Sequence, residues 1–535
     1  MSRRSNRWGV RSVAMMSVIG LLLAACGSDS KPSAAGSSSQ SETVKIGGIL
    51  KIGAFNLASS MDPILGAEDN GCCGGIEQTA LYDQLMSYDE ATGKYVPVTA
   101  ESLTPNADFS VWTLKLRSGI KFSDGTAYDS AAIKFNYDRF VAPDSKAQSK
   151  ANVTANVKSV DVVDPLTVQY TLTSPWAGFP ALLTITPGRI VSPTAAQAPG
   201  ANLMTNPVGA GAGPFIFDSF KPNESISLKR NPNYWGGPVP LDGIQMVPYS
   251  TGPTTFAALQ AGEIQGMEVQ DAISGSSVKA AGLQTFAHKW DQAQVVLNSA
   301  VAPTNDPLVR RAIQEAIDPE VFNQRVFNGT AIASSNVFPP GFPFDPGVDG
   351  LKFDQADAKS LVTQAKAKGW DGSLNLVSAS DPSHSTEGQT VKAMLEAVGM
   401  TVTSDSSKDL SAVITQVLVN HDFQAVGGGL GVTWFPDGNL TYLFIGANTV
   451  QGDGTKPGRY GFTSTAMAGA LAKLRIAGTK DAQLAAFKEV AEVWKAEVPA
   501  AVCVSSLDSV AFANNVHDVV GMNDGNVNLS KAWLS

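Results

Sequence analysis

From Val111 to Arg117 apolar and polar side chains alternate without a break. Trp112, Leu114 and Leu116 face one way and Thr113, Lys115 and Arg117 the other, a period of two that predicts a half-buried strand. Ser123-Asp-Gly-Thr126 follows as a turn, with a glycine free to take positive φ. Asp129 or Ser130 can then cap a helix that carries Ile133, Tyr137 and Phe140 on one face. Further strands are predicted from GGILKIGAF (47–55), Val160–Val163, Thr167–Leu172, the segment with Ile226 and Leu228, and Ser373–Val377. From about residue 295 helices dominate. Asp306-Pro307 and Asp318-Pro319 each set a capping acid before a proline at the first helical position, and Val309, Ile313, Ala316 and Ile317 recur at helical spacing. Another helix starts at Asp354, buries Ala358, Leu361, Val362 and Ala365, and ends at Gly369. A late one runs from Asp481 through Leu484, Phe487, Ala491 and Trp494 and stops before Pro499. Strands alternating with helices read as α/β.

The chain has 535 residues, more than one core usually organises, so two or more lobes are expected. At 43% apolar and 16% charged it is too apolar for a disordered chain. The net charge is −9, and Arg3, Arg4, Arg7 and Arg11 supply four positive charges ahead of the first acid. Without them the remainder is more acidic by four, which argues against nucleic acid and against electrostatic adhesion to an anionic membrane.

Those arginines precede an apolar run from Val13 to Ala25, shorter than the roughly 20 residues that span a bilayer. The run fits a signal segment routed by general secretion. Leu23-Ala24-Ala25-Cys26-Gly27 resembles a lipobox, which makes residues 1–25 a lipoprotein signal peptide and Cys26 the lipidated first residue. Acyl chains at about 0.8 kcal/mol per buried methylene then hold the protein at a membrane without a spanning helix. Residues 26–43, rich in Ser, Gly and Ala, are expected to form a flexible tether with a reach of about 20–25 Å. Cys72, Cys73 and Cys503 remain. An exported compartment permits disulfides, so Cys72 could bridge Cys73, either could bridge Cys503, or all could be buried thiols.

Catalytic signatures are missing. There is no G-x-S-x-G elbow and no H-E-x-x-H. His288, His384, His421 and His517 are scattered and read as surface or satisfied side chains, so neither a catalytic residue, a metal ligand nor a cofactor is expected. Gly209-Ala-Gly-Ala-Gly213 runs into Pro214 and Phe215 instead of a helix start, and Gly427–Gly431 lacks the Lys-Ser/Thr of a phosphate loop. Both are read as loops whose glycines allow tight backbone paths.

Four blocks carry a family resemblance. LYDQLMSYDEATGKYVPVTAESLT followed by WTLKLRSGIKFSDGT (81–126), GAGPFIFDSFKPNESISLKRNPNYWGGPVP (209–240), ALQAGEIQGMEV (258–269, with Gln265 where an Asp is usual) and NDPLVRRAIQEAIDPEVF (305–322) closely resemble the family 5 extracellular solute-binding proteins. These are the dipeptide/oligopeptide receptors of ABC importers. The resemblance covers most of residues 44–440, and the last hundred residues match more loosely. It implies an α/β, two-lobed periplasmic-binding-protein-like fold (type II, cluster C) with an extra subdomain in the first lobe. Lobe I is then 44–294, with 76–208 as subdomain, lobe II is 295–504, and 505–535 returns to lobe I. Chain crossings near Val295–Asn298 and Cys503–Ser506 form the hinge.

In peptide-binding members the cleft segment reads roughly A-D-Y-x-D-P, its first Asp pairing with the peptide's α-ammonium. Here it is Val432-Thr433-Trp434-Phe435-Pro436-Asp437-Gly438, with Trp434 in that place and Asp437 three residues on. Trp434 and Phe435 offer flat apolar area. Asn56 and Leu57 match the family's first cleft loop, beside which Cys72 and Cys73 follow. The resemblance thus implies a monomeric, extracytoplasmic receptor for a peptide or peptide-like solute, partnered by an ABC permease and its ATPase subunits. An oligosaccharide, an opine-like compound or a chelated metal is the alternative cargo, and a secreted hydrolase or structural surface lipoprotein the more distant one.

Overall fold

A computed structural model describes residues 43–535 apart from 66–74, 90–91, 148–149, 289–291, 343, 430–439, 441–457, 459, 506–507 and 523–524. Cys26, Cys72, Cys73, Trp434, Phe435 and Asp437 lie outside the described residues.

The alternation read at 111–117 is a strand, Val111–Leu116, whose Trp112, Leu114 and Leu116 are all buried. It sits in a four-stranded antiparallel sheet between Ala100–Pro105 and Thr167–Leu172, with Val157–Asp164 on the outer edge. Asp124 closes the following turn by accepting from Thr126 N and Oγ1, and Gly125 takes φ +87°. Of the two candidate caps, Asp129 does the work, accepting from Ala132 N at the start of helix Ser130–Val141.

The first β-run, Ile49–Ala54, lies inside a seven-stranded mixed sheet. Its neighbours are distant in sequence: Gly243–Pro248 and Gly266–Val269, both parallel to it. Asp508–Phe512 and Gln284–His288 extend the sheet on one side, Ser225–Arg230 and Phe215–Lys221 on the other. The glycines of Gly209–Gly213 let this loop run against helix Gly75–Tyr82. A Cβ at Gly211 would stand 2.0 Å from Leu81 O and one at Gly213 2.3 Å from Ala80 O.

A five-stranded sheet takes Thr401–Lys408, Ser373–Ala379, Ala425–Gly429, Gln292–Leu297 and Ala500–Ser505 in that order. Helices Pro307–Ala316, Pro319–Phe327, Gln355–Ala367 and Pro382–Ala397 contribute to one buried cluster with it. Asp306, Asp318 and Asp354 cap the first three of these as expected, and Gly369 takes φ +105° beyond the third. The late helix begins one residue earlier than read, at Lys480, because Thr479 caps it through Ala482 N. It ends at Glu497, with Val498 left-handed before Pro499.

The crossings expected near Val295–Asn298 and Cys503–Ser506 fall at strands Gln292–Leu297 and Ala500–Ser505, which lie wholly in the five-stranded sheet and pair antiparallel. The chain therefore changes sheets just before residue 292 and just after residue 505. Cys503 is free and fully buried there, so of the readings open to it Cys503 takes that of an interior thiol. Burial, with the charge of Glu387 added, pushes its pKa well up. Among the described residues no helix is long and apolar enough to cross a membrane.

Candidate functional site

Strand polarity points to a candidate crevice. His288 pairs with Asp508 in the seven-stranded sheet, and Gln292 with Ser505 in the five-stranded one, so these four ends mark where the sheets adjoin. Asp508–Phe512 is antiparallel to Gly266–Val269, which is parallel to Ile49–Ala54 and, through it, to Gly243–Pro248. The carboxyl ends of all three strands thus point at the junction. On the other side Ala425–Gly429 runs antiparallel to Gln292–Leu297 and parallel to Ser373–Ala379, so their carboxyl ends point there too. In open α/β sheets, ligands bind in the crevice beyond the carboxyl ends of the strands.

The loop after Ala54 forms one wall, and buried groups hold its backbone. Glu268 Oε2 accepts from Phe55 N at 2.7 Å, and Glu77 Oε1 from Ala58 N at 3.3 Å. Gln78 Nε2 donates to Ser60 O and Tyr82 Oη to Met61 O. Arg139 pairs with Asp62 at 2.7 Å and fixes the far end. Glu268 and Glu77 are at most 4% exposed, so each ties the loop backbone from the interior. What the loop presents outward is neutral. Asn56 is exposed and Leu57 half-buried against the seven-stranded sheet's core. Phe55, not singled out from the sequence, is a phenyl ring 50% exposed beside them. Its apolar type suggested core, and only its place past the strand end shows it at the crevice.

The opposite wall follows Ser373–Ala379. Asp381 caps helix Pro382–Ala397 through His384 N, and its Oδ2 lies 2.7 Å from His384 Nδ1. Partial burial works to raise the Asp381 carboxyl, but the hydrogen bonds from His384 and attraction to its ring outweigh this and hold it below the usual range. His384 is accordingly a satisfied histidine, though one at the crevice. Deeper, Gln292 donates to Asn336 O and Val337 O, and Gln294 to Gln292 Oε1 at 2.6 Å. Gln294 Oε1 is buried with no partner among the described residues. Segment 430–439, which carries Trp434, Phe435 and Asp437, follows directly on Gly429 in the chain. Among the described residues no group of three or more His, Cys, Asp or Glu is placed to hold a metal ion.

Residues 94–452 match the model of the bacterial extracellular solute-binding proteins, family 5 Middle. The glutathione-binding protein GsiB of Salmonella paratyphi A (strain ATCC 9150 / SARB42) is 29% identical over 356 residues, 63% of this chain and 68% of that protein. Among solved structures, the ABC transporter-associated periplasmic binding protein DppA from Helicobacter pylori, in complex with the peptide STSA, superposes with a TM-score of 0.75. It is 21% identical, over 92% of this chain and 98% of that one. The binding protein AgaA from A. tumefaciens R10, in complex with agropinic acid, gives 0.74 at 21% identity, over 91% and 99%. These structures share the two-lobed fold.

Proposed function

Because this chain belongs to the bacterial extracellular solute-binding proteins of family 5, we propose that it captures a peptide or peptide-like solute between two lobes and hands it to an ABC permease. The sequence bounds 44–294 and 295–504 move with the changes of sheet, so in this reading lobe I is 44–291 with the 506–535 return and lobe II is 292–505. Acyl chains on Cys26, with residues 26–43 as tether, hold the receptor at the extracytoplasmic face of the membrane. The supporting observation is the convergence of strand carboxyl ends on one crevice, walled by the backbone-tied loop at Phe55–Met61 and by the Asp381–His384 corner. Binding and closure are its whole chemistry.

The neutral character of Phe55, Asn56 and Leu57, with Trp434 where peptide binders carry an ammonium-pairing Asp, favours a solute recognised by apolar contact over one gripped by its free amine. Glutathione as the named ligand of the GsiB relative supports a peptide-like cargo. Agropinic acid in the AgaA structure supports the opine-like alternative.

Native mass spectrometry of the purified protein identifies the co-purified ligand, and calorimetry then compares a peptide with its N-acetylated form. Acetylation is expected to change affinity by less than tenfold, or about 1.4 kcal/mol. Trp434→Ala is expected to cost about 2–4 kcal/mol, as for a central aromatic contact. A larger loss on acetylation means that a carboxylate such as Asp437 holds the ammonium, and the cargo is then an ordinary peptide. For the anchor, Cys26→Ala is expected to abolish palmitate labelling and membrane association in fractionated cells.

A further inference from the structure

The four-stranded sheet's side of the molecule and the helix Thr465–Arg475 meet through residues three hundred positions apart. The guanidinium of Arg475 lies over the indole of Trp176, its carbon 4.7 Å from the ring centroid. Arg475 Nη2 donates to Asn156 Oδ1 at 2.8 Å. Arg475 O, one of the carbonyls that a helix end leaves without an intrahelical donor, accepts from Ala177 N at 2.7 Å. Three residues on, Gly478 makes room for Phe109, whose ring would stand 2.2 Å from a Cβ at that position. Trp176 is fully buried, and Arg475 and Asn156 are each 5% exposed. A single buried cluster runs from Trp112 and Trp176 to Leu474 and Phe487.

This contact joins the parts that the strand topology divides. The four-stranded sheet precedes residue 292 in the chain, and the 465–475 helix lies between the two changes of sheet. Those changes fall side by side, since His288 pairs with Asp508 and Gln292 with Ser505. Two adjacent chain crossings make one axis, and noncovalent contacts away from it set the angle about it.

We infer that Arg475, Trp176 and Asn156 form a clasp that fixes the angle between the two halves and so positions the crevice walls for solute capture, parting when the halves swing. The polar part of this contact suits a joint that opens: guanidinium, amide and peptide groups regain hydrogen bonds from water when separated, so their net worth is modest. The apolar side chains of the shared cluster add to what holds the halves at this angle. The inference uses one element of the receptor reading, that the halves move, and is independent of which solute they hold.

The test needs no ligand. Ligand-free wild type, Arg475→Gln and Gly478→Ala are compared by small-angle X-ray scattering and by hydrogen exchange of two peptides, 174–180 at the clasp and 111–116 inside the four-stranded sheet. Arg475→Gln is expected to raise the radius of gyration and speed exchange in 174–180 about tenfold, with 111–116 unchanged. Gly478→Ala leaves the guanidinium in place but displaces Phe109, and it is expected to shift the radius of gyration in the same direction. Unchanged scattering in both variants overturns the clasp. So does faster exchange in both peptides together, which marks loss of an ordinary core contact. Should the protein bind no peptide at all, the cargo reading fails while the clasp still stands or falls on these data.

Discussion

Asp83 shows how one side chain ties distant signatures together. It is 4% exposed, left-handed at φ 59°, and its Oδ2 accepts from Tyr234 Oη at 3.0 Å and Trp235 Nε1 at 3.1 Å. The Tyr-Trp of the 209–240 block thus closes on the start of the 81–126 block. Burial raises the Asp83 carboxyl to about 6 despite the hydrogen bonds from Gln84, Tyr234 and Trp235 that pull it down. A folded chain that holds this proton more tightly than the unfolded one gains stability at low pH. That contribution is full below about 4 and erodes as pH rises to about 6. The expected difference is about 3 kcal/mol, at 1.36 kcal/mol per pH unit. Asp83→Asn cannot titrate, so wild-type stability minus that of the variant is expected to fall by this amount between about pH 3 and about pH 7 in urea unfolding. A difference independent of pH means that Asp83 stays ionised in the fold.

At the scale of elements, two glycines that look alike in the sequence are needed for different reasons. Gly125 has open space around its Cα but sits at φ +87°, and an alanine there meets only backbone strain of about 1–2 kcal/mol. Gly211 carries no such angle; its missing Cβ makes room for Leu81 O. Gly211→Ala must move the loop or the helix end and is expected to cost about 1–3 kcal/mol or more. Asparagine separates the cases. It tolerates the left-handed region, so Gly125→Asn is expected to be milder than Gly125→Ala. Gly211→Asn is expected to be worse than Gly211→Ala. Urea midpoints of the four variants check this. Equal losses at both positions mean that Gly211 is held by conformation rather than by contact.

For the whole molecule, the proposed receptor role predicts motion with a measurable sign. Binding favours whichever lobe arrangement makes more contacts with the solute. Saturation with the co-purified ligand is therefore expected to lower the radius of gyration of wild type, and to lower it further in Arg475→Gln, which starts more open. Identical profiles with and without ligand count against a moving cleft.

Local patterns were legible in the chain because they depend on neighbours. Alternation placed Trp112, Leu114 and Leu116 inward, Asp-Pro pairs started the helices at 307 and 319, and the four signature blocks resembled the family whose model the chain matches. The same resemblance proposes Asn56 and Leu57 for the cleft. Periodicity carries no information about partners far away, so it could not show that Ile49–Ala54 lies between strands some two hundred residues on, nor that the sheets change before residue 292 and after residue 505. Phe55 read as one more apolar residue at a strand end, and Glu268 as an acid in a signature block. Only the parallel pairing of their strands makes the one a ring at the crevice and the other the buried carboxylate that ties it. Arg475, which no pattern in the chain singles out, is buried because the fold brings Trp176 and Asn156 over it, and that is a decision of tertiary packing alone.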